Sequence, residues 1–224
     1  MKKCLAFFII MTITLGVNAQ SNHQLLIDSL NSIKQALKAN PVSTDLILKK
    51  AAIEMEMEDF DKALNDYNMI LDANKKNPAA LFFRAYANKN LKRYNFARVD
   101  YEDFLSIDPM NFEARLGLAV VNQEDKHFTE AMDQYNSLVE MFPDSATAYD
   151  ARARFEVDRK MTDAAIYDWG EAIKLSPKNK DYHISRAESY LVNNNKIAAK
   201  DELDEAVKLG ANRFSLGNMY QRCK

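Results

Sequence analysis

Glycine and proline are scarce in this chain of 224 residues, which contains five of each. Sheet-rich folds need many tight turns, and tight turns depend on these two residues, so their scarcity favours helices. Neither positive nor negative charge dominates, because the chain has 30 basic and 32 acidic residues. A chain with so little net charge gives no electrostatic reason to expect a nucleic-acid partner.

The first nineteen residues have the pattern of a secretory signal peptide. A lysine pair precedes an apolar run over 5–15, and Val17 and Ala19 offer small side chains at the two positions that a signal peptidase reads. The run is too short to cross a bilayer as a helix, which takes roughly 20 residues. We therefore predict a signal peptide over 1–19, cleavage near Ala19 and Gln20, and a periplasmic or secreted protein with no membrane span after cleavage. The alternative is a buried N-terminal helix.

Alanine recurs with a period of 34 residues, without an insertion or deletion, in two sets that are offset by twelve residues. Apolar residues follow the second alanine of each unit at offsets of four and seven residues, on one stripe of an α-helix, and those at the offset of four are large in every unit. Each unit is therefore predicted to be a pair of antiparallel helices in contact at their alanines, and such units must stack to bury their apolar faces. The alanines are Ala51, Ala85, Ala119, Ala153 and Ala187 in the first set and Ala63, Ala97, Ala131, Ala165 and Ala199 in the second.

Polar residues and prolines mark the predicted helix ends. In four units a residue with a side-chain oxygen stands two positions before the second alanine, where it would cap the second helix. In three units a proline follows the second helix and would end it. The predicted caps are Asp61, Asn95, Thr129 and Asp163, and the fifth unit has Lys196 and Ile197 where an aromatic residue and a cap are expected.

This pattern resembles the tetratricopeptide repeat, which has small residues at its eighth and twentieth positions and a proline at its thirty-second. Counted from Thr44, the small residues fit in all units and the proline in three. The resemblance implies an all-α fold, a right-handed α-solenoid or superhelix of stacked helical hairpins. Residues 20–43 are predicted to be an N-terminal half-repeat in which Ile33, Ala36 and Ala39 continue the buried stripe, and residues 214–224 a short C-terminal cap. The five predicted repeats are 44–77, 78–111, 112–145, 146–179 and 180–213.

A basic and an acidic residue change together from repeat to repeat. The base precedes the first alanine and the acid lies three residues after the second, and in the third repeat both are lost, to Leu118 and Gln134. We interpret them as a structural bridge between the two helices of each hairpin. The alternative is a coincidence of surface charges. The predicted pairs are Lys50–Asp66, Arg84–Asp100, Arg152–Asp168 and Arg186–Glu202.

The sequence has no recognisable pattern of catalytic or metal-binding residues. His23, His127 and His183 lack metal-ligand spacing and a nearby cysteine partner. There is no glycine-rich phosphate loop and no nucleophile elbow. After signal cleavage Cys223 would be the only cysteine, which excludes an internal disulfide. We therefore predict a protein with no catalytic residue, no metal site and no cofactor.

The resemblance also implies a concave groove, lined by the first helix of each repeat at its second, fifth, ninth and twelfth positions. The groove would be apolar and aromatic over the first three repeats and mixed over the last two. It lacks the Lys and Asn with which co-chaperones of the family grip a C-terminal carboxylate. The alternative is that these side chains only pack between repeats. The predicted lining residues are Leu48, Phe82, Tyr86, Lys89, Leu116, Val120, Gln123, Asp150, Arg154 and Ile184.

These observations predict a non-enzymatic scaffold of the cell envelope that binds a protein or peptide in its groove, and that has no nucleic-acid partner. One alternative is a structural subunit that self-assembles weakly through the incompletely covered face of the fifth repeat. An enzyme or enzyme subunit is a third reading, for which the sequence offers no convergent site.

Overall fold

The computed structural model describes residues 19–224, so the predicted signal peptide lies outside the described residues except for Ala19. The described residues form twelve α-helices and no β-strand. The fold is all-α. In chain order the helices are α1 (Ala19–Ala39), α2 (Thr44–Glu56), α3 (Phe60–Ala73), α4 (Pro78–Asn90), α5 (Tyr94–Ile107), α6 (Phe112–Glu124), α7 (Phe128–Met141), α8 (Ala146–Asp158), α9 (Thr162–Leu175), α10 (Lys180–Val192), α11 (Lys196–Lys208) and α12 (Gly217–Arg222).

The chain divides into two compact units, with the boundary between Lys92 and Arg93. In the first unit α1 packs on α2, α2 packs on α3, and α4 packs on both α2 and α3. In the second unit each helix from α5 to α10 packs on the next helix, and α12 packs on both α10 and α11. Each unit is therefore a stack of helices in which neighbours along the chain are neighbours in space. In the part of the chain that the structure describes, no helix is both long enough and apolar enough to cross a membrane.

The ten periodic alanines lie at the centre of this packing, because every one of them has 0 % of its surface exposed. The large residues four positions after the second alanine are buried as well, including Tyr67, Tyr101 and Tyr135 at 1–2 % exposed. A methyl group is thus the largest side chain that these positions hold, and a longer one would overpack the helix contacts. The helical stripe predicted from the spacing of the alanines and the rings is confirmed.

The helix caps differ from the predicted ones. Asp61, Asn95, Thr129 and Asp163 were predicted to cap α3, α5, α7 and α9, but each is the second residue of its helix, and no side chain caps these helices. The prediction was wrong because the residue before each of them, an aromatic in three of the four, is already helical. Helix α11, expected to lack a cap, has one, since Asn195 accepts a hydrogen bond from the backbone of Ala198.

A side-chain N-cap precedes the first helix of every repeat. In each case a serine or asparagine side chain accepts a hydrogen bond from a backbone N–H in the first turn, which satisfies one of the donors that a helix start leaves without a partner. These residues also recur every 34 positions, so the sequence held a capping signal that the prediction overlooked. The capping residues are Ser43, Asn77, Asn111, Ser145 and Asn179.

The turn between the two helices of each repeat contains one residue with left-handed backbone geometry. Its φ angle lies between 56° and 63° at the same position of all five repeats, yet none of these residues is glycine. Side chains other than glycine are strained in this region, although asparagine tolerates it. The five residues are Glu58, Lys92, Lys126, Lys160 and Asn194.

Replacing Lys160 with glycine should stabilise the fold by about 0.5–1 kcal/mol. The left-handed conformation costs an ordinary residue roughly 1–2 kcal/mol, which exceeds the backbone entropy of roughly 0.5–1 kcal/mol that glycine adds to the unfolded chain. Asn194→Gly is the matched control and should change stability little. Urea unfolding of the wild type and both variants measures the effect, and equal changes at the two positions would contradict the explanation.

Helix α1 buries a different stripe from the predicted one. Leu30 is 9 % exposed, with Ile33 and Leu37 half-buried beside it, whereas Ala36 and Ala39 are exposed. The prediction was therefore wrong for the two alanines. In the first full repeat the counterpart of Ala36, Ile70, is 3 % exposed, whereas the counterpart of Ala39, Ala73, is exposed as Ala39 is. The buried side of α1 belongs to a helix that packs on α2.

Helix α12 covers part of the fifth repeat. Leu216, immediately before it, is 6 % exposed and packs with Ala187 and Leu203. The hydroxyl of Tyr220 donates a hydrogen bond to Asp204 at 2.8 Å. The helix begins at Gly217, while Phe214, where the C-terminal cap was predicted to start, is 94 % exposed.

Candidate functional site

An open recess of about 350 Å³ lies in the second unit, between α6 and α8. Five of the ten predicted groove residues line it, so the structure brings Leu116, Val120, Gln123, Asp150 and Arg154 together. These positions converge because first helices of consecutive repeats present the same face. The complete lining is Leu116, Val120, Gln123, Glu124, Tyr135, Thr147, Asp150, Ala151 and Arg154.

One wall of the recess is a fixed chain of hydrogen bonds. The hydroxyl of Tyr135 donates to Oε1 of Gln123 at 2.7 Å, and Nε2 of Gln123 donates to Asp158 at 2.8 Å. Burial, assisted by the charges of Asp158 and Glu124, raises the pKa of the Tyr135 hydroxyl above its usual value. The phenol therefore stays protonated, and it holds the amide of Gln123 in one orientation.

The opposite wall contains an ion pair. One carboxylate oxygen of Asp150 accepts a hydrogen bond from the indole N–H of Trp169 at 2.9 Å, and the other accepts one from Nε of Arg154 at 2.9 Å. The bond to Asp150 raises the pKa of the Arg154 guanidinium. The arginine side chain is 60 % exposed, so this pair forms the solvent-facing edge of the recess.

The floor of the recess is aliphatic and belongs partly to the core. Leu116 and Ala151 pack against the buried cluster of Ala119, Tyr135 and Phe155. Leu116 therefore packs between repeats and lines the recess at the same time. The two readings of the groove positions, packing and lining, are not exclusive at this residue.

In the first unit the predicted groove residues lie on α2 and α4. Phe82, Tyr86 and Lys89 share one face of α4, and the ammonium of Lys89 lies 5.0 Å from the centre of the Tyr86 ring. Tyr86 is 43 % exposed, while Leu48 on α2 is half-buried. The surface is aromatic with one cation at its edge, and a role for it in binding stays a prediction.

Ile184 does not line the recess. It packs against the cluster of Ala187, Leu203 and Leu216, next to side chains of α12. Its assignment to the groove came from its position in the repeat alone, and side chains of α12 pack with the same cluster.

The predicted bridges are salt bridges with good geometry in three repeats. Nζ of Lys50 lies 2.7 Å from both carboxylate oxygens of Asp66. Arg152 donates two parallel hydrogen bonds to Asp168, at 2.6 and 2.8 Å, and Asp168 is 1 % exposed. Such a forked pair is the strong form of an arginine–carboxylate contact.

In the fifth repeat Arg186 lies 3.1 Å from Glu202, which also lies 2.6 Å from Nδ1 of His183. Sequence reasoning missed this second contact. Arg84 belongs to the first unit and Asp100 to the second, and that pair stays a prediction.

The same arginines also contact the preceding repeat, which the sequence comparison missed. Arg152 donates to the side chain of Asn136 at 3.1 Å, and Arg84 donates to the equivalent Asn68 at 2.8 Å. Gly170 occupies this position before Arg186, and a Cβ on it would stand 3.2 Å from the guanidinium. Arg152 thus joins the two helices of its own hairpin and also contacts the preceding hairpin in the stack.

Comparisons with known proteins agree with this architecture. The chain resembles the crystal structure of a tetratricopeptide repeat protein from Parabacteroides merdae ATCC 43184, with a TM-score of 0.66, 23 % identity, and coverage of 91 % of this chain and 80 % of that one. It resembles YrrB, described as a TPR protein with an unusual peptide-binding site, with a TM-score of 0.58, 17 % identity, and coverage of 80 % and 92 %. A third structure, the thermophilic TPR protein TTC0263 of Thermus thermophilus, gives a TM-score of 0.57, 16 % identity, and coverage of 81 % and 98 %.

The chain has the tetratricopeptide-repeat fold. Neither a protein-family model nor a curated protein matches the sequence. The identity to the solved structures is low throughout, so they establish the fold and leave the function to be argued from the chain's own residues.

Two of the tetratricopeptide repeats bury a second carboxylate beside the bridge. Glu54 and Glu156 occupy the eleventh position of the first and fourth repeats and are 1 % and 5 % exposed. Burial, with a smaller contribution from Asp168, raises the pKa of Glu156 to about 7, although Arg152 opposes the shift. Burial and Asp66 likewise raise the pKa of Glu54. In each cluster a single cation therefore faces two carboxyl groups.

Residues 19–224 contain no group of three or more His, Cys, Asp or Glu placed to hold a metal ion. Four of the polar side chains that line the recess are held by hydrogen bonds, Gln123 with Tyr135 and Asp158, and Asp150 with Arg154 and Trp169.

Proposed function

We propose that this protein is a non-enzymatic scaffold that binds a protein or peptide in the recess between α6 and α8. The observation that carries the proposal is the convergence of an aliphatic floor and fixed polar walls on one open recess. Ligand sites typically combine apolar lining with a few well-placed polar groups. The likeness to YrrB, whose description includes a peptide-binding site, adds support by analogy. The aromatic face of α4 is proposed as a second contact surface.

Filling the recess should abolish capture of the partner. Thr147 is exposed and lines the recess as the second residue of α8, so Thr147→Trp places an indole in the recess without entering the core. The measurement is affinity capture from the native cell extract with quantitative mass spectrometry, and we expect partners to fall at least about tenfold, since hot-spot contacts carry most binding energy.

Thr129→Trp is the matched control, because Thr129 is an exposed second residue of α7 and does not line the recess. It should retain every partner of the wild type. Equal capture by both variants would contradict the recess as the binding site, and Phe82→Ala with Tyr86→Ala then tests the face of α4.

We propose further that the scaffold works in the cell envelope, since residues 1–19 have the pattern of a signal peptide. Peptide mapping of the protein from fractionated cells should find Gln20 at the amino terminus, in the envelope or medium. A protein that retains residue 1 in the cytosolic fraction would contradict this localisation.

Self-assembly through the C-terminal face is a second candidate, favoured by one observation. Phe214 and Ile197 are 94 % and 79 % exposed in the second unit, and exposed apolar groups often mark protein contacts. Against it, α12 already packs on α10 and α11. Light scattering over a range of concentrations separates the two candidates, because a monomer throughout excludes self-assembly.

A further inference from the structure

We propose that the recess accepts an aliphatic side chain from an extended peptide that carries a lysine or arginine beside it. The inference rests on the proposed function and names the chemistry of the partner. It follows from the shape of the floor, from the bonding of the walls, and from the charges at the ends of α6 and α8.

The floor of the recess fits an aliphatic side chain. Leu116, Val120 and Ala151 provide it, while the ring of Tyr135 below them is 2 % exposed. The volume of about 350 Å³ is near the lower end of ligand pockets, which run from about 300 to 1,000 Å³. A side chain inserted from a segment passing over the open recess would remove these methyl groups from water.

The walls leave little capacity for capturing a carboxylate. Gln123 bonds to Tyr135 and Asp158, and Asp150 bonds to Trp169 and Arg154. Among the lining residues Arg154 carries the only positive charge, and Asp150 neutralises it at 2.9 Å. An acidic residue of a partner would therefore meet an arginine that is already paired.

The charge at one end of the recess favours a cation. Glu124 lines the recess and is the last residue of α6, and Asp158, bonded to Gln123, is the last residue of α8. The two are equivalent positions of consecutive repeats. The carboxyl end of a helix carries a partial negative charge, which adds to that of the side chains. A lysine or arginine next to the inserted side chain would lie close to both carboxylates.

The test selects random dodecapeptides displayed on phage against the purified protein. We expect enriched peptides in which Leu, Ile, Val or Met adjoins Lys or Arg. Their affinity for the Thr147→Trp variant should be at least about tenfold lower than for the wild type, and their affinity for Thr129→Trp should be unchanged, since only the first substitution blocks the recess. Val120→Thr, which keeps the volume and makes the floor polar, should also weaken binding.

The charge component is measured with the selected peptides. Glu124→Gln combined with Asp158→Asn should weaken binding about three- to tenfold at low salt, and the difference should shrink near 0.5 M NaCl because salt screens exposed charges. Asp133→Asn, an exposed acid on α7, should change nothing. Asparagine at 158 can still accept the bond from Gln123.

The outcomes separate this inference from the proposed function. Peptides that lose affinity on Thr147→Trp but carry no base, or carry an acid in its place, would overturn the inference and leave the recess as the site. Peptides that bind Thr147→Trp as well as wild type, or a selection without enrichment, would overturn the recess and the proposed function with it.

Discussion

Arg152→Met should lower the free energy of unfolding by about 3–5 kcal/mol, the cost of breaking a buried ion pair by removing one partner. Arg152 makes two bonds to Asp168, which is 1 % exposed, and another to Asn136. Its loss leaves Asp168 without its counter-ion and beside the buried Glu156. Chemical denaturation followed by circular dichroism measures the change.

Two further variants make this prediction specific. Arg154→Met removes an arginine of the same helix that is 60 % exposed and bonded to Asp150, and exposed pairs contribute about 0–1 kcal/mol. Arg152→Met combined with Asp168→Leu should recover much of the loss, since buried pairs replaced by apolar residues are often neutral. A double variant less stable than Arg152→Met alone would contradict the assignment of the cost to an unpaired Asp168.

Glu156→Gln should make the protein more stable at pH 8 and leave it nearly unchanged at pH 4. Burial raises the pKa of Glu156 to about 7 in the folded state, whereas an exposed glutamate has a pKa near 4.3. The folded state thus binds the proton more tightly than the unfolded state. The resulting stability is complete below about pH 4 and is lost as the pH rises through 7.

A shift of this size corresponds to about 3 kcal/mol at pH 8, as an order of magnitude. Glutamine has nearly the same shape and cannot ionise, so the stability of the variant should lack this loss. Denaturation of both proteins across pH 4 to 8 measures the divergence. Glu140→Gln, on an exposed residue of α7, is the control. If the stability of the wild type and of Glu156→Gln changed with pH in the same way, the raised pKa of Glu156 would be contradicted.

The periodic alanines made most of the helical architecture predictable. Only a side chain as small as that of alanine fits where two helices touch, so alanine recurs every 34 residues at these contacts. All ten of these alanines are fully buried. The covariation of base and acid predicted the Arg152–Asp168 and Lys50–Asp66 contacts for a similar reason, since loss of one partner removes the need for the other. Repeats within one chain served as comparisons for each other.

The features that sequence reasoning missed depend on conformation or on neighbouring repeats. A residue two positions before an alanine can either cap a helix or be its second residue. Which of the two it is depends on where the turn ends and the helix begins, and this is set by the backbone of the turn, which contains a left-handed residue such as Lys160. The Arg152–Asn136 contact joins two repeats, so it is invisible when each repeat is read alone. The stripe of α1 also differed, since Ala36 is exposed whereas its counterpart Ile70 in the first full repeat is buried.

The structure brings half of the predicted groove residues together at the recess. The other half show that a position in the repeat does not by itself decide whether a residue lines an open surface. The repeat decides which face of its helix a groove residue occupies, but the neighbouring helices decide whether that residue is accessible. Ile184 has the groove register and nevertheless packs beside α12. Glu124 was not predicted and lines the recess, because the last residue of α6 points along the same opening as Gln123.

The most direct test of the scaffold account is site-specific photo-crosslinking in the native cells. A benzophenone amino acid at Arg154 would sit at the solvent-facing edge of the recess, and the same amino acid at Thr129 would sit on an exposed position of α7 that does not line it. We expect position 154 to yield a covalent adduct with another protein and position 129 to yield none. No adduct at position 154, or the same adducts at both positions, would contradict a partner bound in the recess.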